Sequence, residues 1–162
     1  MEPEIRHAEP DDVGFLTAML SEAMAWRPRS PRPLASTVAG SRYIRGWPRA
    51  GDNGLVAVRG ERAEPLGATW YRLMTPDDPG YGFIDDETPE LTLGVVPAWR
   101  GQGVGRRLLV ALLDLARGQG HAAVSLSVEQ DNFALALYES VGFRPVEQVG
   151  HAWTMVLPLR TP

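Results

Sequence analysis

The chain has 162 residues, enough for one domain that buries about 70% of the surface its unfolded form exposes. Hydrophobic residues make up 44% and charged residues 22%, the balance of an ordinary globular protein, and a formal net charge of −4 argues against a general affinity for nucleic acid. Cysteine is absent, which excludes disulfides, cysteine-ligated zinc and a thiol nucleophile.

The N-terminus carries Glu2, Glu4 and Arg6 without the apolar core of a signal peptide. No apolar run reaches the roughly 18 residues of a membrane span, so a cytoplasmic protein is expected. Residues 3–8 read as a short edge strand. Glu9-Pro10-Asp11-Asp12 reads as a helix start, its acids suited to the N-terminal dipole. Val13, Leu16, Met19, Leu20 and Met24 follow at helical spacing and predict an amphipathic helix over residues 11–25.

Residues 26–53 mix Trp26, Tyr43 and Trp47 with six arginines and four prolines, and hold no acid before Asp52. This is either a substrate or partner surface or an irregular connection with a short helix near 34–44. Residues 55–59 and 66–73 predict an antiparallel hairpin. From 75 to 90 there are six carboxylates (Asp77, Asp78, Asp85, Asp86, Glu87, Glu90) and no base. That segment is a solvated loop or an acidic rim that attracts a cationic amine.

Residues 90–96 alternate as a strand. Leu91, Leu93 and Val95 share one face, and Glu90, Thr92, Gly94 and Val96 the other. Gly94 inside it suggests a bulge or a close approach by another group. The strand feeds Pro97-Ala98-Trp99-Arg100-Gly101-Gln102-Gly103-Val104-Gly105 and then a Leu-rich helix over 106–118. Such a loop serves as a tight turn or as an anion site, because glycines let backbone N–H groups approach closely and a helix start leaves N–H groups unpaired. It is neither a dinucleotide fingerprint, since Arg106 stands at the sixth position, nor a Walker loop, since the chain has no lysine. A strand over 122–128 completes a parallel crossover. A helix capped by Asp131-Asn132 and ended by Gly142, then a hairpin of 143–147 with 151–157, close the chain.

These stretches together resemble the GNAT superfamily of N-acetyltransferases. The residues that carry the resemblance are Val95 to Gly105, with Arg100, Gly103 and Gly105 meeting the Arg/Gln-x-x-Gly-x-Gly/Ala pattern. Leu126-Ser127-Val128, Asp131-Asn132 and Leu137-Tyr138-Glu139-Ser140-Val141-Gly142-Phe143 follow in order. Phe133 departs from the pattern, standing where close relatives often have proline.

The resemblance implies a single α/β (α+β) domain over 1–162. It implies a mixed, mostly antiparallel sheet of about six or seven strands, a splayed parallel pair and about four flanking helices. It implies acetyl-coenzyme A as donor and no metal. The pantetheine would pair with the backbone along Leu93, Gly94, Val95 and Val96, and backbone N–H groups of the loop Arg100, Gly101, Gln102, Gly103, Val104, Gly105 and Arg106, chiefly from Gln102 to Arg106, would hold the pyrophosphate. Asn132 and Ala134 would help place the cofactor.

The reaction implied is direct attack by a primary amine in a ternary complex. Tyr138 would protonate the leaving thiolate, and Glu90, with Asp85 and Asp86 as alternatives, would deprotonate the amine. His7, His121 and His151 do not cluster and read as structural. The partners expected are acetyl-coenzyme A and an amine acceptor, with no nucleic acid and no membrane; the family also accommodates a homodimer. The acidic 77–90 segment favours a cationic acceptor such as a polyamine or a protein amine, and the arginine-rich segment favours an anionic one. A non-catalytic acetyl-coenzyme A sensor is the alternative reading.

Overall fold

Seven strands form one sheet: β1 (Glu4–His7), β2 (Asn53–Arg59), β3 (Glu64–Arg72), β4 (Glu90–Val95), β5 (Ala123–Glu129), β6 (Arg144–Val149) and β7 (Ala152–Pro158), in spatial order β1-β2-β3-β4-β5-β7-β6. The computed structural model describes residues 2–24 and 41–159. Every neighbouring pair is antiparallel except β4 and β5. Three helices are present among the described residues: α1 (Val13–Met24), α2 (Val104–Gly118) and α3 (Ala134–Val141). Most of the short helix expected near 34–44 lies outside the described residues, and the part that is described, 41–44, forms a bend and turns. Among the described residues no helix is long and apolar enough to cross a membrane.

Strand periodicity sorts the core onto two faces. Leu55, Ala57, Tyr71 and Leu91 pack with Leu108, Leu109, Leu112 and Leu113 of α2. Val56, Val58, Ala68 and Trp70 pack with Leu16, Met19 and Leu20 of α1 on the opposite face. A register shift between Ala57 and Val58 leaves Leu66 without a partner in β2 and turns it to the α2 side with Tyr71. The sheet's register shifts are in the β2–β3 pair and, between Pro145 and Glu147, in the β6–β7 pair, not at Gly94. The β3–β4 register runs unbroken through Gly94, and Gly94 is needed because a Cβ there would collide with the Met19 carbonyl of α1. Of the two readings of that glycine, close approach is the one observed.

The even-numbered side chains at the end of β3 point to the α1 face and fix the backbone of residues 42–45. Trp70 Nε1 donates to the Tyr43 carbonyl at 2.9 Å. Arg72, 1% exposed, donates through Nε and Nη2 to the Asp52 carboxylate at 3.0 and 2.6 Å. Its Nη1 donates to the carbonyls of Arg42 and Arg45 at 3.1 and 2.8 Å. A buried guanidinium is tolerated only when its donors are matched in this way. Asp52→Ala leaves that charge without its counter-ion and is expected to lower the unfolding free energy by about 3 kcal/mol, measured by urea denaturation. A loss below about 1 kcal/mol would show that the pair does not anchor the segment.

Candidate active site

The β4–β5 pair is joined at one register position, Glu90 with Ser125, where the Ser125 N–H donates to the Pro89 carbonyl at 3.0 Å. Beyond it the strands part. Alternate residues of a strand turn their N–H and C=O the same way, so the Pro89 contact places the backbone groups of Leu91, Leu93 and Val95 toward β5. The Val96 N–H, one residue on, points the other way and donates to Leu66 O at 2.8 Å. By the same period the backbone groups of Ser127 face the gap from β5.

The gap opens into a cleft of about 620 Å³, a size that suits a cofactor arm or a small substrate. Its floor is β4, from Glu90 to Val95, with Ser127, Val128 and Glu129 of β5 opposite. At one end lie Trp99, Arg100, Gly101, Gly103, Gly105 and Arg106. Gly101 (φ 74°) and Gly103 (φ 86°) are left-handed, a region that favours glycine, and Gly103 caps α2. The helix start thus presents its unpaired N–H groups beside the cleft. Arg106 Nη1 donates to Ser140 Oγ at 2.8 Å, and Arg100 pairs with Glu22 of α1 at 2.9 Å. The other wall is Asn132, Phe133, Ala134, Leu137 and Tyr138. Asn132 Oδ1 accepts from the Ala134 N–H at 2.8 Å, so the side chain organises the start of α3.

Tyr138 is 7% exposed, lines the cleft and packs edge-on against Phe143. Burial pushes its phenol well above the usual tyrosine range, so the hydroxyl keeps its proton at neutral pH. Glu90, 2% exposed, reaches the cleft at the end where β4 and β5 meet. Its Oε2 accepts a short hydrogen bond from the Tyr43 hydroxyl and another from the Gly82 N–H at 3.1 Å. Its Oε1 is buried without a hydrogen-bond partner. Desolvation raises the Glu90 pKa, opposed by the Tyr43 and Gly82 hydrogen bonds and by the charge of Arg42.

Of the residues singled out from the sequence, the side chains of Val96, Gln102 and Val104 do not line the cleft, although the backbone of Gln102 and Val104 belongs to the loop and helix start beside it. Val96 packs toward the α1 face, Gln102 is exposed and donates to Ala98 O, and Val104 is in the core. Asp85 and Asp86 are exposed and stand outside it. No histidine lines it, and His121 packs edge-on against Tyr71. Among the six carboxylates of 75–90 only Glu90 reaches the cleft. Asp78 is paired with Arg42 at 3.1 Å and Arg45 at 2.7 Å, so the acidic and arginine-rich segments bind each other.

Tyr43, Tyr81, Gly82, Glu22 and Glu129 were not singled out as site residues from the sequence. The one signal for the loop was the pair of glycines flanking Tyr81. A Cβ at 80 would collide with Glu90 Oε1, and one at 82 would lie 2.6 Å from Leu126 O.

Residues 20–143 match the model of the Acetyltransferase (GNAT) family. The chain belongs to that family. The GNAT chain is 59% identical over 56 residues to the N-alpha-acetyltransferase RimI of Mycobacterium tuberculosis, covering 34% of each protein. It is 33% identical over 138 residues to the mycothiol acetyltransferase of Jonesia denitrificans, covering 85% of this chain and 41% of that one. It therefore spans less than half the length of either relative. Its fold is that of the putative acetyltransferase YncA from Salmonella typhimurium, solved with its cofactor acetyl-CoA (TM-score 0.74, 24% identity, covering 100% and 96% of the two chains). The ribosomal-protein-S18-alanine N-acetyltransferase of Escherichia coli shares it too (TM-score 0.70, 20% identity, covering 99% and 96%).

Glu90→Gln keeps the acceptor of the Tyr43 and Gly82 hydrogen bonds and removes the charge. A folded-state pKa above the ordinary 4.5 means that the folded protein holds this proton more tightly than the unfolded chain. The stabilisation that Glu90 contributes is complete below the unfolded pKa and is lost as pH rises through the folded one. The variant is therefore expected to melt above wild type at pH 8, the gap closing as pH falls toward 4.5; a gap that is absent or reversed at pH 8 would contradict a desolvated carboxylate.

Proposed function

We propose that the protein transfers the acetyl group of acetyl-coenzyme A to a primary amine, by direct attack in a ternary complex, in the cytoplasm. The observation that carries the reading is the parting of β4 from β5 beyond Glu90, with a helix start at one end of the gap and a buried carboxylate at the other. The residues fit the donor. Leu93 and Val95 offer backbone groups to an amide-bearing arm, as an added strand would need. The N–H groups at the start of α2, with Arg106 and Arg100 beside them, suit a pyrophosphate. Asn132 and Ala134 form the facing wall.

When bound, acetyl-coenzyme A supplies an acyl group activated as a thioester. The chain's own residues manage protons. An alkyl amine is mostly protonated in water and must lose a proton before it can attack, and Glu90, its basicity raised by burial, receives it. Tyr138, held protonated by burial, delivers a proton to the leaving sulfur. No covalent enzyme intermediate is needed. The buried, partnerless Oε1 of Glu90 favours an enzyme over a non-catalytic sensor, because an unsatisfied acceptor costs stability that a sensor has no reason to bear.

The acceptor amine belongs to a small molecule or a protein. The relatives named for N-alpha-acetylation, for mycothiol and for ribosomal-protein-S18 alanine support a panel of a peptide with a free N-terminal alanine, the deacetylated amine of mycothiol and spermidine. With the amine turned over fastest, Tyr138→Phe is expected to lower kcat about a hundredfold while leaving the dissociation constant for acetyl-coenzyme A within about twofold. Unchanged kcat, in a variant whose chemical step is rate-limiting, would remove Tyr138 from the acid role.

A further inference from the structure

One side chain that the proposed reaction does not use is tied to the group it uses most directly. Tyr43 lies 47 residues before Glu90 in the chain, and its hydroxyl donates to Glu90 Oε2 in a short hydrogen bond. The same hydroxyl accepts the Tyr81 N–H at 2.7 Å, so its proton is committed to the carboxylate. The Gly82 N–H fills the rest of Oε2, and the Tyr43 and Tyr81 rings stack at 6.3 Å. Tyr43 itself is immobilised from β3, by Trp70 on its carbonyl and by Arg72 on the carbonyls of Arg42 and Arg45. Gly80 completes the arrangement, since it leaves room for Oε1 where any Cβ would collide.

We propose that Tyr43 positions Glu90 for proton acceptance, occupying Oε2 together with the Gly82 N–H and reserving Oε1 for the acceptor's proton. This rests on the assignment of Glu90 as base. In the step, one N–H bond of the ammonium breaks, its electron pair stays on nitrogen, and the proton bonds to Oε1. A carboxylate this buried accepts a proton from an amine only if it is ionised beforehand, and a donor on Oε2 favours the ionised form.

Other titratable and polar groups surround Glu90 among the described residues. Arg42 stands on the same segment as Tyr43 and is paired with Asp78. Arg72 of β3, the register partner of Glu90, is paired with Asp52. Tyr81 is on the covering loop, and Ser125 of β5 is the partner across the parallel bridge. Glu22 of α1, Glu129 of β5 and Tyr138 of α3 line the same cleft. Of the side chains in this set, the Tyr43 hydroxyl donates to Glu90, and Tyr43→Phe removes it by deleting one atom while keeping the ring.

The test is Tyr43→Phe. The titration of the Glu90 carboxyl is followed without any substrate, by carbon-13 NMR of glutamate-labelled protein assigned through Glu90→Gln. It is expected to move to higher pH in Tyr43→Phe, while acetyl-coenzyme A binding stays close to wild type and the thermal midpoint falls further below wild type at pH 8 than at pH 4.5, where Glu90 carries its proton in both proteins. In turnover of the fastest panel amine, kcat/KM for the amine is expected to fall about tenfold at pH 6 and to recover at pH 9. A Glu90 titration that does not move, or a kinetic loss that is the same at every pH, overturns the proposal. If Glu90 titrates as expected but no amine is turned over by wild type, it is the assigned reaction that fails and not the Tyr43–Glu90 coupling.

Discussion

The structure depends on a sheet that is allowed to come apart. β4 and β5 share one bridge, Glu90 with Ser125, and the backbone groups of Leu93, Val95 and Ser127 are left turned toward a gap. Backbone N–H and C=O groups in a folded interior have to find partners. A chain that leaves several of them facing a cleft has reserved them for water or for a ligand that can pair as a strand does. The rest of the fold serves this opening. α1 backs β4 so closely that Gly94 has no room for a side chain, and α2 begins on two left-handed glycines at the end of the same gap.

The charge around the cleft is arranged by pairing. The arginine-rich and acidic segments would each suggest a different acceptor if taken alone. In the structure Arg42 and Arg45 hold Asp78, and Arg72 holds Asp52. These pairs pull residues 41–52 and the loop after β3 onto the end of the sheet, which places Tyr43 against Glu90. What remains facing the cleft at that end is a single buried carboxylate with aromatic neighbours, which suits the proposed deprotonation of an amine.

How much of this could be read from the chain depends on distance along it. The run from Glu90 to Phe143 is local: strand, glycine loop, helix, strand and helix follow one another, each with its own periodicity and breaker residues. The observed elements fall within about two residues of the expected ones there. The Gly101–Gly103 loop, read from that run, and Tyr138, named by the family resemblance, both line the cleft. The partners of Glu90 were not legible, because Tyr43 and Gly82 reach it only through sheet register and loop closure, and register sets Arg72 beside Glu90 in a way no short window reveals. Val96 shares a strand face with Glu90 and Thr92 but packs against the α1 side beyond the cleft, while Gln102 and Val104 bear on the site through the backbone of the glycine loop and helix start, not through their side chains. Gly94 called for either a bulge or a close neighbour, and only the position of Met19 decides between them.

The most direct test of the central claim is amide hydrogen exchange on the protein alone and with saturating acetyl-coenzyme A. The account predicts slower exchange at the Leu93 and Val95 amides, which face the gap, and at the first amides of α2. The Val96 amide, already bonded to Leu66 O, should be unchanged. Exchange at Leu93 and Val95 that is indifferent to acetyl-coenzyme A would contradict the reading of the β4–β5 gap as the donor site.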